Sequence, residues 1–380
     1  MRCITEDVEA ILVGSGWHPS LFRNEMEVLS KSKPYRFGTR VVLASSEYDF
    51  LKSLERSATL DECLFPFGLT TDTSTLEDVI KGWIEDNNLQ LKTGKSIAVR
   101  WIRIEGGISG VNGKELAMFC GGILSKMGWQ IDLESPDVEL MIILDGISEH
   151  IFWGKRLFSK HPREGWVQRA ATERPFFKPI SLDPRLARVA LNFVINSSDE
   201  IICDPMCGTG GVLLEGALLN QQMVGIDLDE EMVLGSRKNL DWLMNQQKIF
   251  NSQIVLHGNA VNMAELLRKN NIKIDGLVFD PPYGKNAWKS DETWNLFTNV
   301  LMNTRKAEGI TSDSRLACFL PILPKINGIN EPITEDLDLG DFTTEQLKLK
   351  FNASGWNIIS MHSIPIHKSL ARMLVVAVAS

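Results

Sequence analysis

No stretch of the chain reaches the roughly 18–20 consecutive apolar residues that a membrane-spanning helix needs, so a transmembrane helix is not expected. The opening residues, MRCITEDVEA, lack the basic-then-apolar order of a secretory signal, and a soluble cytoplasmic protein is the expectation. No C-x-x-C pair occurs. Cys3, Cys63, Cys120, Cys203, Cys207 and Cys318 are scattered, with no histidine cluster beside them. A zinc site is therefore not expected, and free thiols in a reducing compartment are the simpler reading. Internal repeats and low-complexity segments are missing too. Positive charge is in deficit: the net charge of −8 argues against a protein that coats nucleic acid without selection.

At 380 residues the chain is too long for one ordinary compact domain and suits two or three, and 44% hydrophobic residues suffice to bury real cores. Charge is unevenly spread. Between positions 151 and 190, Lys155, Arg156, Lys160, Arg163, Arg169, Arg174, Lys178, Arg185 and Arg188 face only Glu164, Glu173 and Asp183, nine against three. A basic belt on an acidic chain fits a defined anionic partner; a solvated linker is the other reading.

Hydrophobic spacing divides the chain. Residues 1–70 read β-α-β-β-α-β, which suits a small ferredoxin-like α+β domain. Residues 71–158 read as a second α+β unit, with a helix over 76–84, strands over 96–104, 140–144 and 150–158, and a helix over 114–127. Residues 159–180, with Pro162, Pro175 and Pro179, have linker composition. From 181 to 380 strand and helix alternate, which predicts a doubly wound parallel sheet. Strands at 356–364 and 372–379 would close it as an antiparallel hairpin.

Four strand ends carry candidate chemistry. IICDPMCGTGG, at 201–211, ends a strand in an acid and opens through small residues onto a helix, a loop that lets backbone approach a ligand. A dinucleotide fingerprint fails because Leu213 stands where its third glycine belongs, and no Lys-Ser or Lys-Thr makes it a phosphate loop. Asp227, in VGIDLDE, ends the next strand nineteen positions past Gly208. It can accept from two ribose hydroxyls or cap the following helix, a task Asp229 could serve equally. HGNA, at 257–260, ends the third strand, where an adenine edge can be read. DPPYG, at 280–284, ends the fourth. There Asp280 can accept from an exocyclic amine, the Pro281 carbonyl can take the second amine hydrogen, Pro282 helps fix the turn, and Tyr283 can stack on a flipped-out base. An aryl amine is a poor nucleophile, so positioning beside a carboxylate is what it needs. Trp288 borders this base pocket or simply packs. Cys203, Cys207, His257, His362 and His367 are read as structural.

The DPPYG, DPMCGTGG and GIDLDEEMVLGSRKNL segments, with RPFFKPISLDPRLARVALNF before them and HKSLAR after, resemble the archaeal tRNA guanine-10 N2-methyltransferases over about residues 175–380. The first 155 residues resemble the ferredoxin-like and THUMP domains attached to those enzymes. The resemblance implies S-adenosylmethionine as cofactor, guanine N2 as acceptor and a THUMP module that grips the tRNA partner; a monomer with no metal and no membrane contact is expected. It implies a donor site of Asp204, Pro205, Cys207, Gly208, Thr209, Gly210, Asp227, Leu228, Asn259, Ala260 and Asp280, and catalysis by Asp280, Pro281, Pro282 and Tyr283. RNA is expected on Lys155, Arg156, Lys160, Arg163, Arg169 and Arg174. Asn259 departs from the family's usual acid at that position. Methylation of guanine 6, adenine N6 methylation, and a non-catalytic RNA-binding role remain as alternatives; one or two methyl groups are equally compatible with these residues.

Overall fold

The computed structural model describes residues 7–47, 49–91, 94–158, 165–179, 181–247, 251, 253–282, 291–323, 329–339, 342–367 and 370–380. The chain divides into two compact units, residues 1–55 with 59–162 and residues 56–58 with 163–380.

The first unit contains β1 (Asp7–Gly14), α1 (Pro19–Ser30), β2 (Tyr35–Arg36), β3 (Val41–Glu47), α2 (Phe50–Ser53) and β4 (Leu60–Thr70). It continues with α3 (Leu76–Leu91), β5 (Ser96–Ile104), α4 (Gly113–Lys126), β6 (Gln130–Ile131), β7 (Val138–Asp145) and β8 (His150–Arg156). Local chemistry sets the helix starts: His18 Nδ1 accepts from Leu21 N at 3.2 Å ahead of Pro19, and Asn112 Oδ1 accepts from the Lys114 and Glu115 amides. Strands β2-β3-β1-β4 form the order of a split βαβ fold, every pair antiparallel. Residues 1–70 and 71–158 nonetheless share one eight-stranded sheet, β2-β3-β1-β4-β8-β7-β5-β6. Strand β4 pairs with β1 through Ile11↔Leu64 and Val13↔Glu62, then with β8 through Phe67↔Gly154 to Thr70↔Ile151. Separate cores lie around Phe22 and Met26 and around Ile80, Leu124 and Trp153. A third cluster draws on both halves, with Ile11, Val13 and Leu64 packed with Ile104, Met141 and Phe152.

The second unit begins with short 3₁₀ turns at Val167–Arg169 and Ala171–Glu173. Then follow α5 (Pro184–Val194), β9 (Ile201–Asp204), α6 (Gly211–Leu218), β10 (Gln222–Asp227), α7 (Glu230–Gln247), β11 (Gln253–His257), α8 (Met263–Lys269), β12 (Gly276–Phe279) and α9 (Asp291–Arg305). The chain ends with β13 (Arg315–Ile322), α10 (Thr344–Ala353), β14 (Trp356–His367) and β15 (Leu370–Ala379). Asp183 caps α5 ahead of Pro184, and Thr343 with Gln346 forms a capping box on α10. The sheet order is β11-β10-β9-β12-β13-β15-β14. Its first five strands pair in parallel, and β15 runs antiparallel to both β13 and β14, the expected hairpin closure. Phe279, Leu316, Phe319 and Trp356 are fully buried. Full burial of one such side chain stabilises by roughly 1.5–3 kcal/mol. Strand β9 lies between β10 and β12, so the helices that follow β9 and β12 leave in opposite directions. That switch opens a crevice at the strands' carboxyl ends.

Candidate active site

The crevice is a cavity of about 440 Å³. Its floor is the loop after β9. Gly208 (φ 50°) and Gly210 (φ 80°) hold left-handed backbone there, and a side chain on Gly210 would meet Ser236 Oγ at 2.5 Å. The loop is tied down by Cys207 N→Ile226 O at 2.9 Å and Gly210 N→Cys207 O at 2.8 Å. Asn239, fully buried on α7, stitches the preceding segment to it. Its Nδ2 donates to Thr209 O at 2.9 Å and Phe176 O at 2.7 Å, while its Oδ1 accepts from Phe176 N at 2.9 Å. This contact explains why RPFFKPI and GSRKNL occur in one chain with the glycine loop.

Three aspartates come together around the cavity. Asp204, 2% exposed, accepts from Met206 N at 3.1 Å. Burial pushes its carboxyl well above the ordinary range; the Met206 amide opposes this, and the charges of Asp227 and Asp280 add to the rise. Asp227 accepts from Gly208 N at 2.8 Å through Oδ2 and from Asp229 N at 2.9 Å through Oδ1. Asp229, in turn, accepts from Glu231 N at 2.8 Å. Asp229 therefore performs the capping at the start of α7, and Asp227 is left facing the cavity with lone pairs to spare. Asp280 is held by Arg372, whose Nη1 lies 2.9 Å from Asp280 Oδ2.

Pro205, Cys207, Gly208, Thr209, Leu228, Asn259, Ala260, Pro281 and Pro282 also line the cavity, while Gly210 acts from behind as the loop's turn. Tyr283 and Trp288 lie outside the described residues. Asn259 lines the cavity while its Oδ1 accepts from Val261 N at 3.0 Å and caps a 3₁₀ turn. His257 Nε2 bonds the Leu228 carbonyl at 2.9 Å, and His362 is fully buried with its ring stacked 5.9 Å from Phe193; both are structural. Cys203 and Cys207 are buried, and burial pushes their thiols well up.

Three arginines of the basic belt are engaged by partners within the protein. Arg156 is clamped at 2.7 Å by both Glu62 and Glu139. Arg169 and Arg188 converge on Glu215, 1% exposed on α6, at 2.7 Å each, and both stack on Trp166. Arg174 is 5% exposed, its guanidinium pulled below its usual range by burial, and donates to Arg169 O at 3.0 Å. Arg156, Arg169 and Arg174 are thus spent on internal carboxylates and packing, not displayed as a surface. Lys155 is half-buried, and Lys160 and Arg163 lie outside the described residues.

Residues that sequence reasoning left without a role also line the cavity: Arg372, Lys178, Ser181, Met206, Leu296 and Val300. The only signal for Arg372 was its place in HKSLAR.

Residues 171–320 match the model of the RMKL-like UPF0020 methyltransferase domain. The matched residues lie within the second unit, which is thus similar to this methyltransferase domain. The domain's matched part ends in β13, so β14 and β15, with Arg372, lie beyond it. The chain is 30% identical over 202 residues to a tRNA (guanine(10)-N2)-dimethyltransferase of Methanocaldococcus jannaschii, covering 52% of this chain and 56% of that one. It is 33% identical over 199 residues to the Methanothermobacter thermautotrophicus protein of the same name, covering 52% and 54%. A Mus musculus tRNA (guanine(6)-N(2))-methyltransferase is 25% identical over 226 residues, covering 54% and 41%. The match thus spans about half the length of these curated relatives. Among solved structures, TrmN from Thermus thermophilus aligns over 98% of this chain and 100% of its own, at a TM-score of 0.48 and 16% identity.

Proposed function

We propose that the chain methylates N2 of a guanine in tRNA, at position 10, with S-adenosylmethionine as donor. The observation that carries this reading is the placement of Asp280, at the carboxyl end of β12, on the same cavity as Asp204 and Asp227. The residues fit the donor: Asp204 suits a cation, Asp227 suits a diol, and Leu228 with Val261 offers apolar surface for a flat ring. When bound, S-adenosylmethionine supplies an electrophilic methyl group. Asp227 binds the ribose hydroxyls. Asp204 supplies a carboxylate for the donor's positive end.

At the acceptor, Asp280 takes one amine hydrogen in a hydrogen bond and the Pro281 carbonyl takes the other, which aims the nitrogen lone pair at the methyl group. The guanine enters flipped out of its helix, with Tyr283 as its stacking partner. The amine proton displaced on methylation would pass to the Asp280 carboxylate that already accepts it, so no histidine is required as base. The first unit, read as ferredoxin-like and THUMP regions, binds the tRNA.

Relatives named for guanine-10 methylation at 30% and 33% identity support position 10 over the guanine-6 reading, whose relative stands at 25%. Nucleoside mass spectrometry of an unmodified tRNA transcript, after incubation with enzyme and donor, tests the proposal. N2-methylguanosine or its dimethyl form should appear, mapped to position 10 by fragment analysis. Product at position 6, N6-methyladenosine, or no product from a protein that still binds donor would replace it.

A further inference from the structure

We propose that Arg372 is a positioning residue for Asp280: its guanidinium fixes the orientation of the carboxylate that receives the acceptor amine. The inference rests on the methyl-transfer reading above. Arg372 sits on β15, opposite Pro321 of β13 and Ile364 of β14, and is 8% exposed. Its Nη1 reaches Asp280 Oδ2 at 2.9 Å, and both residues line the cavity.

Charge makes the pairing consequential. Among the described residues, Asp204, Asp227, Asp229 and Asp280 line the cavity, against the cations Lys178 and Arg372. Lys178 is committed to Glu231 at 2.8 Å, and Asp229 to capping α7. Arg372 is therefore the cation that meets Asp280 inside an otherwise acidic site.

Geometry matters as much as charge. Asp280 follows β12 directly and precedes two prolines, so its backbone is constrained while its side chain retains a rotatable carboxylate. The contact runs from Arg372 Nη1 to Asp280 Oδ2 and anchors that oxygen of a carboxylate that would otherwise rotate. With Oδ2 anchored by Arg372, the Asp280 carboxylate meets an N–H donor in one orientation. The partner comes from the antiparallel hairpin, so the parallel half of the sheet, which carries the donor motifs, lacks it.

The test is single-turnover methylation of unmodified tRNA at saturating donor, with donor affinity measured by calorimetry on the same full-length proteins. Arg372→Gln should lower turnover by roughly tenfold to a hundredfold, the usual cost of losing a group that orients a working residue. Arg372→Lys should fall between Arg372→Gln and wild type. Donor affinity should stay within about twofold in both, since their contacts to the donor lie elsewhere. In an Asp280→Asn background, Arg372→Gln should change turnover by no more than about twofold, because coupled residues are not additive. Added guanidinium should restore part of the activity of Arg372→Ala. A merely structural arginine predicts otherwise: independent losses that multiply with Asp280→Asn, a parallel fall in donor affinity and no guanidinium rescue. Those results, or near-normal turnover by Arg372→Gln, would overturn the proposal. Wild-type protein that binds donor but yields no N2-methylguanosine would instead overturn the functional reading.

Discussion

The two sides of the cavity are built in opposite ways. The donor side is contiguous in sequence and made largely of backbone: Gly208 and Gly210 bend the chain, Cys207 and Gly208 donate amides, and Asn239 ties the loop to Phe176. The acceptor side rests on an ion pair between Asp280 after β12 and Arg372 on β15. Backbone sites tolerate side-chain substitution because their donors survive it. A site held by one ion pair has no such reserve, so damage to the two sides should register in different measurements.

The largest effect should come from beneath the donor side. Glu215→Ala removes the buried carboxylate shared by Arg169 and Arg188 and leaves both guanidinium groups without it. A loss of about 3–5 kcal/mol in unfolding free energy is expected, as for other broken buried pairs. Urea denaturation measures it, and a change below about 1 kcal/mol would show that the belt is not anchored there.

Asp280→Ala should lower single-turnover methylation by about a hundredfold or more, the scale for losing one preorganised electrostatic group. Donor affinity should be nearly intact, and the comparison breaks if both fall together. Tyr283→Ala should cost less, in line with the roughly 1–3 kcal/mol of one base stack, and Tyr283→Phe least. On the donor side the pattern reverses. Asp227→Ala should weaken donor binding at least about tenfold, one charged hydrogen bond, and calorimetry showing unchanged affinity would remove its ribose assignment.

The smallest effect is a pH dependence. Burial raises the Asp204 carboxyl above its ordinary value of 3.8. The stability contributed by its neutral form is fully present below that value and is lost as pH rises through the raised one. A cationic donor favours the ionised form. Donor affinity should therefore tighten with rising pH across that interval, with a proton released on binding. Calorimetry in buffers of different ionisation enthalpy reads the proton, and Asp204→Asn should flatten the dependence. A wild-type affinity that is flat with pH would detach Asp204 from the donor.

What was legible in the sequence follows the same divide. Strands β9, β10 and β12 are buried in a parallel sheet, so they read as short apolar runs ending in Asp204, Asp227 and Asp280. The glycine loop and Asp227 are local enough to read by spacing. The hairpin was visible as two apolar strands, but not the register that sets Arg372 opposite Pro321 and beside Asp280. Strand β13 escaped notice because Pro321 lies within it, a residue that argues against an interior strand. The partners of Arg156 and Arg169 were not legible, because a charge run shows its cations and hides their carboxylates: Glu62, Glu139 and Glu215 lie far away in sequence. Asn259 showed its place at a strand end but not the turn it caps, since an amide's partner two residues on is not written in its spacing.

Strand β4 belongs to two ladders, with β1 through its first half and β8 through its second. A boundary drawn at residue 70 therefore falls at the end of a shared plank. The two edge strands of the shared sheet, β2 and β6, lie in different halves. Pulling on one transmits load directly into the other through hydrogen bonds between Phe67 and Gly154 and their neighbours. Amide exchange in β1 and β7 should consequently slow and quicken together, as one breathing body, and a chain severed in β4 should lose protection on both sides of the cut.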